Sequence, residues 1–273
     1  MNKLSVSIVV YSSDLVLLEE VINSLQIACR FASEREPLKT ELDLVNNNPG
    51  DAGNQALFDL AKSGRSPYLE IQVVESGHNG GYGAGNNISI KRHPDSDFHL
   101  VLNPDALLTD DALANGLAYL QSNLDVGLLT PQVRGLDGVM HYLCKRDPKL
   151  LDMVLRSIPV QWLRDLFSKR DRIYEMRDKD YTLEIKPVPY PTGCFMLFRR
   201  SILKTISGFD ERYFLHYEDA DVGRKVAQVS QTAYVPGVKI IHKWSRDSHK
   251  SWKMRWITIK SGLKYWIKWG GVY

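Results

Sequence analysis

The sequence predicts an α/β protein with a mostly parallel, doubly wound central sheet, and three observations carry that prediction. Short apolar runs alternate with helical patterns through the first half of the chain. Polar clusters stand where those runs end. A content of 44% hydrophobic and 25% charged residues is the balance of a folded globular chain. Ligands of such sheets collect beyond the carboxyl ends of the strands, which makes the polar clusters the places to look for function.

"LSVSIVVY", Leu4 to Tyr11, reads as a buried first strand. "DLVLLEEVINSLQIA" has helical spacing through Leu17, Val21, Ile22 and Leu25, capped by Asp14 or Ser13. "ELDLVNNN" is a second strand ending in Asn46 to Asn48, and "YLEIQVVES" a third. The loop "ESGHNGGYGAGNN" leads into a helix over roughly Ala84 to Lys91. "DFHLVLNPD" is a fourth strand stopping at Pro104, "TDDALANGLAYLQSN" a helix with Thr109 as its cap, and "VGLLTPQV" a fifth strand. From about Gly135 the alternation breaks. Asp147 to Arg177 reads as helical in pieces, and Lys250 to Trp269 as a final helix. Without repeats or low-complexity linkers, the two halves are expected to share one continuous structure.

The 273 residues contain no apolar run of the roughly 18 residues that a membrane-spanning helix needs. Three cysteines, Cys29, Cys144 and Cys194, form no CxxC pair, which predicts a reduced, cytoplasmic protein without structural zinc. The net charge of +3 hides an asymmetry. From Lys239 onward nine basic residues face one acid, leaving a tail of +8 on a body of −5. Such a tail calls for an anionic partner.

The glycine-rich loop fails as a dinucleotide fingerprint, because Asn86 or Ile88 stands where the last glycine would be. It also follows the third strand rather than the first. Taken alone it is a tight turn or a ligand loop. "LNPD" offers Asn103 and Asp105 at a strand end, either to hold Mg²⁺ or Mn²⁺ together with a diphosphate or to cap a turn. "HYEDADVGRK" gathers Glu218, Asp219 and Asp221 at a helix start, where the macrodipole alone accounts for carboxylates and where one could also serve as a general base.

In combination, Asn46, "NGGYGAGNN", "LNPD", "PTGCFMLFRR", "GFDERYFLHYEDADVGRK" and "IHKWSRDSHK" follow one order over nearly the whole chain. In that order they closely resemble glycosyltransferase family 2, and more narrowly its bacterial rhamnosyltransferase-like branch. The resemblance implies a GT-A fold, with a Rossmann-like sheet flanked by helices, and an inverting, metal-dependent transfer from a nucleotide sugar. It implies a catalytic domain over 1–240, with a nucleotide-sugar half (1–134) and an acceptor half (135–240), followed by a membrane-associating tail (241–273). By the same resemblance Tyr11, Asn46, Asn79, Gly83, Asn86, Asn87 and Asn103 would meet the donor, with Asn46 where the family usually has an aspartate. Asp105 and His242 would hold the metal. Gly193, Trp244 and Arg246 would face the acceptor. Asp219 would be the catalytic base, with Glu218 the second choice. Arg199, Arg200 and Arg224 are expected to be structural or phosphate-facing.

On a helix, Trp252, Trp256, Leu263 and Trp266 share one stripe, while Lys253, Lys260, Lys264 and Lys268 lie largely on another side. That describes either an interfacial helix drawn to anionic lipid or a helix packing its tryptophans in the core. With the resemblance, the expected partners are dTDP-L-rhamnose, a polyprenyl-diphosphate-linked saccharide acceptor in O-antigen or related assembly, and an anionic inner-membrane surface approached from the cytoplasm. The alternatives are a UDP-linked donor, a nucleotidyltransferase, and a nucleic-acid-binding module using the basic aromatic tail. The acidic body opposes the last, and no nucleic-acid partner is expected.

Overall fold

The computed structural model describes residues 1–48, 50, 54–149, 167–243 and 252–270. In chain order the elements are β1 (Asn2–Val10), α1 (Leu15–Arg35), β2 (Leu38–Asn46), α2 (Asn54–Ser63), β3 (Glu70–Glu75), α3 (Tyr82–Arg92), β4 (Phe98–Leu102) and β5 (Ala106–Leu108). They continue with α4 (Ala112–Ser122), β6 (Val126–Arg134), β7 (Met140–His141), α5 (Ser168–Tyr174), β8 (Phe195–Arg199), α6 (Arg200–Thr205), α7 (Glu218–Ala227), β9 (Gln231–His242) and α8 (Trp252–Trp269).

One sheet runs through them in the order β3-β2-β1-β4-β8-β6-β9-β5, with β7 on β6. The strands β3, β2, β1 and β4 are parallel, as the strand–helix alternation predicts. Past β4 the sheet is mixed. β8 lies antiparallel between β4 and β6, β5 is antiparallel to β9, and only β6 and β9 pair in parallel. β5 was not anticipated. It follows β4 too closely for the crossover a parallel neighbour needs, so it pairs antiparallel with β9 instead.

The sheet has two differently built faces. On one, α1, α2 and α4 bury Leu18, Leu25, Leu57 and Leu113 against Val6, Ile8, Leu44 and Leu100. In α1 the buried residues recur every three to four positions, and each large one stabilises by about 1.5–3 kcal/mol. Asp14 caps this helix, accepting from the amides of Val16 and Leu17. At α4 the cap position belongs to Asp111 rather than Thr109, whose hydroxyl braces the turn by donating to Asp111 at 2.9 Å and to the Lys239 carbonyl at 3.1 Å.

On the other face α3, α6 and α7 pack Ile90, Leu203, Val222 and Val226 over Val101, Met196 and Phe198. Here the underside of α3 is polar. Ser7 donates to Asn86 Oδ1 at 2.6 Å, and the His99 ring lies 2.7 Å from the Ser5 hydroxyl and 3.1 Å from that of Ser7. Small and polar residues (Gly83, Gly85, Asn86, Asn87, Ser89) therefore do the packing that apolar residues do in α1. Two adjacent arginines close helix ends on both faces. Arg199 donates to the Val126 and Asn123 carbonyls beyond α4, and Arg200 to those of Ile90 and His93 at the end of α3. Both are structural.

Burial holds His99 neutral, pushing its pKa from 6.5 down to about 3. The unfolded chain binds this proton first as pH falls, so stability is lost between those two values, by at most about 1.4 kcal/mol per pH unit. The acid-side slope of the thermal midpoint is therefore expected to be shallower in His99→Asn than in the wild type, and equal slopes would reject the assignment. A second expectation concerns Gly81, where φ is +93° and an added Cβ would stand 2.1 Å from the Phe214 carbonyl oxygen. Gly81→Ala should cost more than about 2 kcal/mol in urea unfolding. Gly77→Ala, at φ +76° but in open space, should cost about 1 kcal/mol.

Candidate active site

The carboxyl ends of β1 to β4 form one rim. Tyr11 stands exposed just past β1. Asn46, the last residue of β2, donates its amide to both oxygens of Glu75 at 3.1 Å, and its Oδ1 accepts the Asn48 amide at 3.0 Å. Glu75 is the last residue of β3 and the register partner of Asn46. A carboxylate thus stands at the position where Asn46 itself carries no charge.

The glycine loop is tied to the protein's own backbone. Asn79 Oδ1 accepts the Gly81 amide at 3.1 Å, and the buried Asn47 donates to the Gly81 carbonyl at 2.9 Å. Gly81 presses against Phe214, whose carbonyl accepts the Tyr82 amide at 3.0 Å. At Gly83 an added Cβ would meet that of Phe209 at 3.0 Å. Asn86 is completely buried and spends its side chain on Ser7 and the Tyr82 carbonyl. Asn87, 4% exposed, donates to the Phe209 carbonyl and Glu211 and accepts from the Phe209 amide, each at 2.9 Å. Asn86 and Asn87 thus turn their amides into the fold. The Asn87 side chain joins α3 to the segment before α7 and that of Asn86 joins α3 to β1, while Gly81 admits the Phe214 backbone.

Asn103 and Asp105 follow the end of β4 on this rim. The short pairing of β5 with β9 sets Ala106 opposite His242, which brings His242 Nε2 to 3.0 Å from Asp105 Oδ1. Residues 137 positions apart in sequence thus meet at one point. Among the described residues no group of three or more His, Cys, Asp or Glu side chains gathers to hold a metal. One carboxylate and one imidazole are a donor set compatible with Mn²⁺ when diphosphate oxygens complete the shell.

The remaining wall is the start of α7. His216 and Tyr217 both take left-handed backbone, at φ 67° and 66°, turning the chain sharply before the helix. Glu218 is buried with Oε2 unpartnered, and burial together with the neighbouring Asp219 charge pushes its carboxyl pKa well above the ordinary range. Asp219 is only half-buried and accepts from the Ala220 amide. Beside it lies Gly193, where an added Cβ would stand 3.3 Å from Asp219 Oδ2. The Gly193 carbonyl accepts the Tyr82 hydroxyl at 2.8 Å. The structure therefore brings together Gly193, Glu218 and Asp219 on one side and Asp105 with His242 on another. Trp244 and Arg246 lie outside the described residues. Arg224 turns to α8, its guanidinium 5.0 Å from the Trp269 ring centre.

Comparison with known proteins follows this geometry. The family model "Glycosyltransferase like family 2" matches residues 3–258. An N-acetylglucosaminyl-diphospho-decaprenol L-rhamnosyltransferase from Mycobacterium tuberculosis is 26% identical over 188 residues, which cover 64% of this chain and 59% of the relative. Rhamnosyltransferase WbbL from Escherichia coli is 28% identical over 195 residues, covering 68% and 69%. The chain thus spans less than two thirds of the mycobacterial relative's length. A mannosyltransferase from Pyrobaculum calidifontis, solved with GDP-Man and Mn²⁺, superposes with a TM-score of 0.62 at 17% identity, over 96% of this chain and 64% of that one. The fold is GT-A, an α/β sheet flanked by helices, and the match over nearly all its length makes the chain a member of glycosyltransferase-like family 2.

Proposed function

We propose that this chain is an inverting glycosyltransferase that moves a sugar, L-rhamnose in the first instance, from a nucleotide donor to a lipid-linked saccharide in surface-polysaccharide assembly. The observation that carries the reading is the half-exposed Asp219 carboxylate beside the bare backbone of Gly193, with the buried Glu218 carboxyl, whose pKa burial pushes well up, behind it. A sugar hydroxyl is a poor nucleophile and needs a base within reach. With Glu218 neutral, Asp219 is the group that takes the acceptor's proton. The acceptor oxygen then bonds to the anomeric carbon as the bond to the diphosphate oxygen breaks, and a single displacement of this kind inverts configuration. Gly193 leaves room for the acceptor.

On the donor side, Glu75, held by Asn46, offers a carboxylate to an imide N–H of the base, and Tyr11 is free to lie alongside it. Asp105 and His242 would hold Mg²⁺ or Mn²⁺ with the donor diphosphate. When bound, that ion compensates the charge of the leaving group. The rhamnosyl assignment is supported by two rhamnosyltransferase relatives, and the lipid-linked acceptor by the diphospho-decaprenol in the name of one. The basic, tryptophan-rich α8 supports work at an anionic membrane, and no helix among the described residues is long and apolar enough to cross one. Three buried free thiols fit a cytoplasmic-face enzyme.

The direct test is a panel of dTDP-, UDP- and GDP-sugars scored for turnover with a short-chain lipid-diphosphate saccharide. Turnover of dTDP-L-rhamnose is the expected result, and exclusive use of a UDP-sugar would replace the donor. Asp219→Asn is expected to lower kcat by on the order of 10²–10⁴-fold with nucleotide affinity kept, while Glu218→Gln, which replaces a neutral acid by a neutral amide, retains most of it. The opposite ranking would move the base to Glu218. Asp105→Ala should raise the Mn²⁺ concentration needed for half-maximal donor binding by at least about tenfold. An unchanged metal titration would remove Asp105 from the ligand set.

A further inference from the structure

The helix α8 has two faces with different duties. Its inner face is engaged over its second half. Ser261 and Tyr265 are buried, the Ser261 hydroxyl donates to the Leu215 carbonyl at 2.8 Å, and the Tyr265 ring lies 5.6 Å from that of Tyr217. At its end Lys268 Nζ stands 2.7 and 2.9 Å from the two oxygens of Asp221 and 2.8 Å from Asp210, while the Trp269 indole donates to Asp221 at 2.7 Å. Lys268 is thus an internal cation rather than part of the solvent-facing basic stripe.

Asp221 is completely buried. A carboxylate survives such burial only where donors of this quality compensate it. It follows Asp219 by two residues on the first turn of α7. At about 100° per residue the two carboxylates leave that helix in nearly opposite directions, Asp219 toward Gly193 and Asp221 toward α8.

The outer face of α8 carries Trp252, Trp256, Ile259, Leu263, Trp266 and Ile267, all between 40% and 76% exposed. On a helical projection these six fill an arc of about 100° with no polar residue inside it. Exposed Arg255 borders one edge and exposed Lys260 and Lys264 the other, and α8 contains no acidic residue. Apolar residues rimmed by cations alone complement an anionic bilayer, into which tryptophans settle at headgroup depth.

We propose that Asp221 is a positioning residue joining the base-bearing helix α7 to a bilayer-docking helix. The Trp256–Ile259 face of α8 meets an anionic lipid surface, while Lys268 and Trp269 hold α7, and with it Asp219, at a set place above that surface. This rests on Asp219 being the base.

The test uses the full chain and the donor that the panel identifies. Lys268→Met should lower kcat about tenfold with donor KM and flotation unchanged, and Lys268→Arg should restore most of the rate. The pair Trp256→Ser and Ile259→Ser should instead lose at least tenfold in flotation with phosphatidylglycerol vesicles, yet keep kcat on a water-soluble acceptor. Wild type should float with phosphatidylglycerol and far less with phosphatidylcholine alone. A Lys268→Met enzyme that loses thermal stability but keeps native kcat at 20 °C would overturn the positioning role. A wild type that ignores anionic vesicles, or that sediments as a dimer broken by the Trp256/Ile259 changes, would overturn the bilayer as occupant. A wild type that floats but turns over no nucleotide sugar would overturn the base assignment and leave the docking face standing.

Discussion

The contact between the glycine loop and the segment leading into α7 fixes the relation of everything else in the candidate site. Asn87 makes three hydrogen bonds to Phe209 and Glu211, and the Phe214 carbonyl lies directly on Gly81. In that setting a buried polar group left unpaired would cost about 1–3 kcal/mol, so Asn87 holds the two strongly. Because His216 and Tyr217 then turn the chain into α7, the position of Asp219 is set from the loop that follows β3. The loop aligns the two sides of the candidate site through its own backbone.

Much of the first half was legible in the sequence, because its information is periodic. β1, β2, β3, β4 and β6 are apolar runs bounded by polar residues, and the α1 stripe repeats every three to four positions. β5 was not legible. Three residues carry no period, and its existence depends on β9, a strand more than a hundred residues away. The antiparallel placement of β8 between β4 and β6 was hidden for the same reason.

For the site, residue types were easier to read than their roles. Asp105, His242, Asp219 and Gly193 were picked out as chemical groups, and the fold brings them into two clusters. Asn86 and Asn87 were equally conspicuous, but an amide serves a ligand or a backbone with the same atoms, and only burial separates the uses. Glu75 was overlooked because a charged residue at a strand end is ordinary until its register partner is known. The outward orientation of Trp252, Trp256 and Trp266 could not be read either. Helical spacing identifies a stripe without saying which stripe the protein covers.

The adjacent arginines at the end of β8 bear on how the chain comes off the ribosome. Until Arg199 and Arg200 emerge, the carbonyls ending α3 and α4 lack their donors, and the mostly apolar β4 is an open sheet edge. The first hundred or so residues hold most of the parallel sheet but cannot close it. An unpaired hydrophobic edge of that kind invites pairing with other chains. The time before β8 emerges is therefore the interval of greatest exposure to chaperones, and it ends when one five-residue strand inserts.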